Sequence, residues 1–119
     1  DITSIVCNIT AIVSAIKIYP SNINFNKNET KAWNFYFEAL QKLRNINNES
    51  NHKDFSLIEK YIDAAIELSP KNDYYLFFKG LIYEIEYFTT GAAGALAYSG
   101  LFFQEAAEMG SELARNKIN

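Results

Sequence analysis

Residues 65–83 of the chain, AIELSPKNDYYLFFKGLIY, contain the pattern that decides its fold. One apolar run ends at Pro70, and a second apolar run begins just after Asn72. Proline cannot continue a helix and asparagine favours turns and helix caps, so the spacing predicts a helix, a tight connection and another helix. An earlier segment, AIKIYPSN at 15–22, repeats the form Ala-Ile-charged-aliphatic-x-Pro-x-Asn of residues 65–72. The chain therefore contains an internal repeat of helix ends.

Apolar residues recur at steps of three and four along most of the chain, which is the period of amphipathic helices. Strand-like alternation is absent, and the chain contains only five glycines and two prolines, too few for a sheet protein with many tight turns. The pattern predicts an all-α fold, an antiparallel helix-hairpin array of about five helices. The predicted helices cover 2–16, 29–45, 54–68, 73–90 and 92–115, the last interrupted by Gly94, Gly100 and Gly110.

The segment from Ala65 to Tyr83 resembles the tetratricopeptide repeat (TPR) family of helical repeat proteins. Pro70 stands where that family closes one repeat, and Gly80 and Tyr83 occupy the Gly and Tyr positions of the next. The resemblance implies that a small residue lets the neighbouring helix approach closely. Gly80 is accordingly expected to contact the helix that contains residues 58–66. A generic helical bundle is the alternative, in which Ala65 and Gly80 are merely small core residues.

The TPR-like pattern extends over roughly residues 8–110 and implies one domain, 1–119. This domain would consist of a half repeat and two longer repeats, at 2–20, 29–70 and 72–110. The two proline-ended copies lie fifty residues apart, against ~34 in the family. The extra length falls in the polar loops and in the region after Tyr83, so the predicted repeats are divergent.

Composition excludes several classes of function. The chain has 119 residues and a net charge of −3, so it lacks the basic excess of nucleic-acid-binding proteins. Its longest apolar stretch, 91–103, is far shorter than the ~20 residues that span a bilayer. Aromatic residues make up 15% of the chain, enough for a sizeable core.

No constellation for catalysis or metal binding is evident in the sequence. The one histidine, His52, lies in a polar loop, and no Ser-His-Asp or His-Cys set can be assembled around it. No phosphate-binding loop is present. Glu105, Glu108 and Glu112 share a helix face, but without a Glu-x-x-His motif they are interpreted as a solvated acidic stripe. We therefore expect a protein that is not an enzyme and that has no cofactor or metal.

The TPR resemblance also implies where a partner would bind, because the first helix of each repeat lines a concave groove in that family. On the helix around Gly80, the residues that would face the groove are Tyr74, Phe77, Leu81 and Glu84. Those on the helix around Trp33 are Lys31, Asn34, Glu38 and Gln41. One wall would be aromatic and the other polar, which suits a peptide or another extended ligand. Alternatively, Tyr74 and Phe77 belong to the core and the terminal helix covers them.

Two functions follow from these observations. The first is a non-catalytic scaffold or adaptor that binds a protein or peptide through the helical groove. The alternative is a small helical bundle that holds an apolar small molecule or lipid in a pocket lined by aromatic residues and glycine. The first requires an open groove with exposed aromatic residues, and the second requires a closed cavity of ~300–1,000 Å³.

Overall fold

A computed structural model describes residues 26–118, and within them every regular element is an α-helix. The helices are α1 Lys27–Arg44, α2 His52–Leu68, α3 Asp73–Thr90, α4 Ala93–Glu108 and α5 Glu112–Ile118. The predicted all-α class and the helix-hairpin array are confirmed for this part of the chain. The half repeat predicted at 2–20 lies outside the described residues.

Asparagine side chains begin the first three helices. Asn26 accepts a hydrogen bond from the backbone N–H of Glu29, and Asn72 accepts one from the N–H of Tyr74. Asn51 forms a capping box with Asp54, in which each side chain accepts from the other's backbone N–H. An N-cap of this kind stabilises a helix by about 1 kcal/mol. The helices α1 and α2 begin two residues earlier than the apolar spacing predicts, because these asparagines are caps and not loop residues.

Glycines in the left-handed region end α3 and separate α4 from α5. Gly91 has φ 75° and Gly110 has φ 106°, conformations that other residues rarely adopt. The sequence predicts one long helix over 92–115 with three interruptions. Only Gly110 breaks it, while Gly94 and Gly100 lie inside α4.

Each helix packs chiefly against its neighbours in sequence, and the hairpins α1–α2 and α3–α4 have the most extensive contacts. Aromatic side chains also join α1 to α3. The buried Tyr36 places its hydroxyl 2.8 Å from that of Tyr74, and its ring centroid lies 5.0 Å from that of Phe78. The first helices of the two hairpins are therefore held together by a shared aromatic cluster.

Gly80 allows α3 and α4 to pack closely. A Cβ atom built on Gly80 would lie 2.6 Å from Cε1 of Phe103, far inside normal contact distance. The TPR resemblance implies a close partner for Gly80 on the helix that contains residues 58–66. The nearest side chain belongs instead to α4, because Phe103 fills the space beside the glycine.

Candidate binding groove

The aromatic wall predicted on α3 lies in the core. Phe77 and Leu81 are only 1% and 4% exposed, and both belong to the main hydrophobic cluster. The ring centroid of Phe77 lies 5.6 Å from that of Phe103 on α4. The expectation that Phe77 and Leu81 face a partner is therefore wrong for the described structure, because α3 is apolar nearly all round and α4 covers this side.

The other two residues predicted on α3 are engaged within the chain. Tyr74 is half-buried, and its hydroxyl is hydrogen-bonded to that of Tyr36. Burial raises the pKa of Tyr74 well above its usual value, so its hydroxyl stays protonated. Glu84 accepts a hydrogen bond of 2.8 Å from the ammonium group of Lys117 on α5. Neither side chain stands free at an open groove wall.

The polar wall predicted on α1 does line a groove. Lys31, Asn34 and Glu38 are exposed and border a depression of about 510 Å³ between α1 and α2. Its apolar lining comes from three residues outside the predicted set, Phe35, Tyr61 and Leu68. The groove is open to solvent rather than enclosed. We call these six residues the α1–α2 groove.

The apolar floor of the α1–α2 groove is already assembled. The ring centroids of Phe35 and Tyr61 lie 6.4 Å apart, and the ammonium group of Lys42 lies 5.4 Å from the Tyr61 centroid. Phe35 could have been found from the sequence, since it lies four residues after Lys31 and three before Glu38, on the same helix face. Tyr61 and Leu68 lie seven residues apart on α2 and also share a face.

A second polar cluster joins α2 to the end of α3. His52 Nδ1 lies 2.9 Å from Oε2 of the buried Glu86, and His52 Nε2 lies 3.2 Å from Oγ of Ser56. The sequence does not predict this connection, because Glu86 lies 34 residues from His52 and on another helix. The order hydroxyl, imidazole, carboxylate is that of an activated nucleophile. However, His52 and Ser56 are exposed, and neither lines the α1–α2 groove.

The hydrogen bond between His52 and Glu86 stabilises the junction of α2 and α3. Replacing His52 by alanine leaves the buried carboxyl without this partner, and we expect a loss of roughly 1–3 kcal/mol in the free energy of unfolding. Urea unfolding followed by circular dichroism measures it. Ser56→Ala, one turn further along α2, is the matched control and is expected to be nearly neutral because Ser56 is exposed. Equal stabilities for the two variants would contradict this role of His52.

Within residues 26–118, no group of three or more His, Cys, Asp or Glu side chains is arranged to hold a metal ion. In the same part of the chain, no helix is long and apolar enough to cross a membrane. Comparisons with protein-family models, with curated proteins and with solved structures gave no match to the chain.

Proposed function

We propose that the protein is a non-catalytic interaction domain that binds a short, apolar-faced segment of a partner protein in the α1–α2 groove. The observation that carries the proposal is the open groove itself. Exposed polar side chains of α1 border an aromatic floor that residues 26–118 leave accessible. Aromatic anchors flanked by polar rims are typical of sites where a peptide docks.

The spacing of the groove residues fits a helical peptide. Lys31 and Glu38 lie seven residues apart on α1, about 10 Å along the helix axis. Phe35 lies between them, facing Tyr61. An amphipathic helix would place its apolar residues on this floor in the helix-in-groove mode. The partner helix would carry an acidic residue near Lys31 and a basic residue near Glu38.

The α1–α2 groove is favoured over the apolar small-molecule pocket. The alternative places a ligand beside aromatic residues and a glycine, which on α3 means the side of Gly80. That space is filled by the Phe103 ring, and Phe77 packs on the same ring. A lipid or small apolar ligand would have to displace a buried side chain there, whereas Phe35 is 37% exposed in the part of the chain that the structure describes.

The TPR resemblance supports the same class of function, in a modified form. The two described hairpins succeed each other in sequence, and Tyr36 and Tyr74 join their first helices. Such arrays bind partners through surfaces shared by several helices. The proposed site differs from the family's concave groove because it uses α1 and α2 rather than α1 and α3.

Peptide selection tests the proposal directly. Peptides from a random displayed library are selected on the immobilised chain, and their affinities for variants are compared. Phe35→Glu is expected to weaken binding about 30-fold or more, the loss typical of an interface hot spot. Leu57→Glu is the matched control, since Leu57 is an exposed apolar residue of α2 outside the groove. Selected peptides that bind both variants equally would contradict the proposal.

A charge swap on the rim gives a sharper readout without altering the aromatic floor. The double variant Lys31→Glu with Glu38→Lys reverses the order of charges along α1. Peptides selected on this variant are expected to carry their acidic and basic residues in the opposite order. An unchanged order would show that the rim does not contact the peptide.

The non-catalytic part of the proposal has its own test. If the chain of Ser56, His52 and Glu86 were a working nucleophile, the protein would hydrolyse p-nitrophenyl acetate at a rate that depends on Ser56. We expect Ser56→Ala and the unmodified chain to give the same rate. A clear loss of hydrolysis in Ser56→Ala would overturn the assignment as a non-enzyme.

A further inference from the structure

The outer face of α4 is exposed and apolar as far as Leu101, and it becomes polar after that at Gln104, Glu105 and Glu108. Leu101 is 59% exposed and Leu96 is 45% exposed, and Tyr98 on the same helix is also exposed. Ala97 and Gly100 lie between the two leucines and are exposed as well. Soluble helices usually place charged residues on such a face. We call these five residues the α4 outer face. It is separate from the α1–α2 groove.

We propose that the α4 outer face pairs with the same face of a second copy of this chain, with the two α4 helices antiparallel. A two-fold pairing requires a surface that is complementary to itself. If the axis passes between Ala97 and Leu101, each Leu101 faces the partner's Ala97. A large side chain then meets a small one twice, and the open space beside Gly100 lets the helices approach.

The charges on α4 favour the antiparallel orientation. Glu105 and Glu108 are exposed in the last turn of α4, where a helix carries partial negative charge. Ala92 holds the N-cap position, and no described side chain accepts a hydrogen bond from the first turn of α4. The antiparallel pairing places Glu105 beside the partner's Ala93. At the negative end of their own helix, Glu105 and Glu108 are unfavourable. In the pair they lie against the positive end of the other helix.

The size of the face sets the expected strength of the dimer. A stable interface buries about 800 Å² on each partner. One face of the 16-residue helix α4 supplies only part of that area. The pairing is therefore weak, and the fraction of dimer rises with protein concentration.

Sedimentation velocity across a concentration series tests the pairing. The unmodified chain is expected to shift from monomer to dimer, and Leu101→Lys is expected to remain monomeric at every concentration. Leu57→Lys is the matched control and should dimerise normally, because Leu57 is as exposed as Leu96, at 45%, but lies on α2. A chain that is monomeric throughout, or a dimer that Leu101→Lys leaves unchanged, would overturn the proposal.

Cross-linking tests the orientation. The single cysteine of the chain, Cys7, is first replaced by serine. In that background, Ala97→Cys and Leu101→Cys are prepared separately and mixed under oxidising conditions. The antiparallel pairing predicts that the disulfide between the two different variants forms faster than a disulfide between two copies of either variant. Faster formation of the like-with-like disulfides would indicate parallel helices and overturn the proposed arrangement.

Reversing one charge separates the effect on the dimer from the effect on the fold. Glu105→Lys places a positive charge at the C-terminal end of its own helix, so the monomer should become more stable. The same charge would face the positive end of the partner's α4, so dimerisation should become weaker. If Glu105→Lys made both the monomer more stable and the dimer stronger, the charge argument would be contradicted.

Discussion

Replacing Gly80 by leucine is expected to destabilise the domain by about 1–3 kcal/mol, the usual effect of overpacking a core. The first added carbon would already lie 2.6 Å from Cε1 and 2.7 Å from Cδ1 of Phe103. The Phe103 ring has little room to retreat, because it is buried and packs against Phe77. Thermal and urea unfolding measure the change.

The chain offers a matched control at Gly100, which also lies within a helix but has no neighbouring atom within 4 Å of the place that a Cβ atom would occupy. Gly100→Ala is expected to stabilise the monomer by up to about 1 kcal/mol through helix propensity alone. Gly80→Ala should not show this gain in stability. The double variant Gly80→Ala with Phe103→Leu should show part of the gain, because the smaller side chain leaves room for the added methyl group. A stable Gly80→Leu variant would contradict the close α3–α4 packing.

The sequence predicts the helices well because their signals are local. The apolar spacing, Pro70 and the turn residues around it identify α2 and α3 without reference to the rest of the chain. The caps are harder to predict, since an asparagine serves equally in a loop and at a helix start. Asn26 precedes Glu29 by three residues, a spacing typical of helix starts, whereas Asn51 is recognisable as a cap only from its hydrogen bonds.

The neighbour that covers a given helix face could not be predicted from periodicity. On α3 apolar residues point in nearly every direction, so the pattern does not say which side meets another helix. Phe77 and Leu81, expected in a groove, are buried, and the Phe103 ring of α4 packs against Phe77. On α1, where the polar and apolar faces differ clearly, Lys31, Asn34 and Glu38 are exposed as expected.

The floor of the α1–α2 groove depends on long-range packing. Phe35 could have been placed beside Lys31 and Glu38 from helix geometry alone. That Tyr61 and Leu68 complete the floor depends on how α2 lies against α1, which local spacing does not determine. The polar rim of the candidate site could therefore be predicted from α1 alone. The apolar residues that α2 contributes to its floor could not.

The domain is expected to unfold cooperatively in alkali, between about pH 10 and pH 12, because buried tyrosines must ionise. The pKa of Tyr36 is raised from 10.0 to about 12, and burial is the largest of the effects on that hydroxyl. Burial also raises the pKa of Tyr74, Tyr75 and Tyr83, and for Tyr83 the hydrogen bond to Glu59 acts in the same direction. Each hydroxyl favours the protonated, folded state.

The direction of the pH dependence follows from the raised pKa values. Below pH 10 these tyrosines are protonated in both states, and their contribution to stability is complete. Above pH 10 the unfolded chain loses protons that the fold retains, so stability falls until the folded pKa is reached. For Tyr36 alone, a shift from 10.0 to about 12 corresponds to about 3 kcal/mol. That is a large fraction of the roughly 5–15 kcal/mol by which such domains are stable.

The measurement is a titration that follows tyrosinate absorbance and helical circular dichroism together. We expect the part of the tyrosinate signal that Tyr36→Phe removes to appear in the same step as the loss of helix, because the aromatic cluster between α1 and α3 must open before Tyr36 and Tyr74 can ionise. Tyr36→Phe should be less stable at neutral pH, since Tyr74 loses its hydrogen-bond partner, and should show a shallower decline above pH 10. Tyr98→Phe is the matched control because that side chain is exposed. If that part of the tyrosinate signal formed well before helix was lost, the Tyr36 hydroxyl would be accessible to solvent in the folded state, and the aromatic cluster would not be the link that joins the two hairpins.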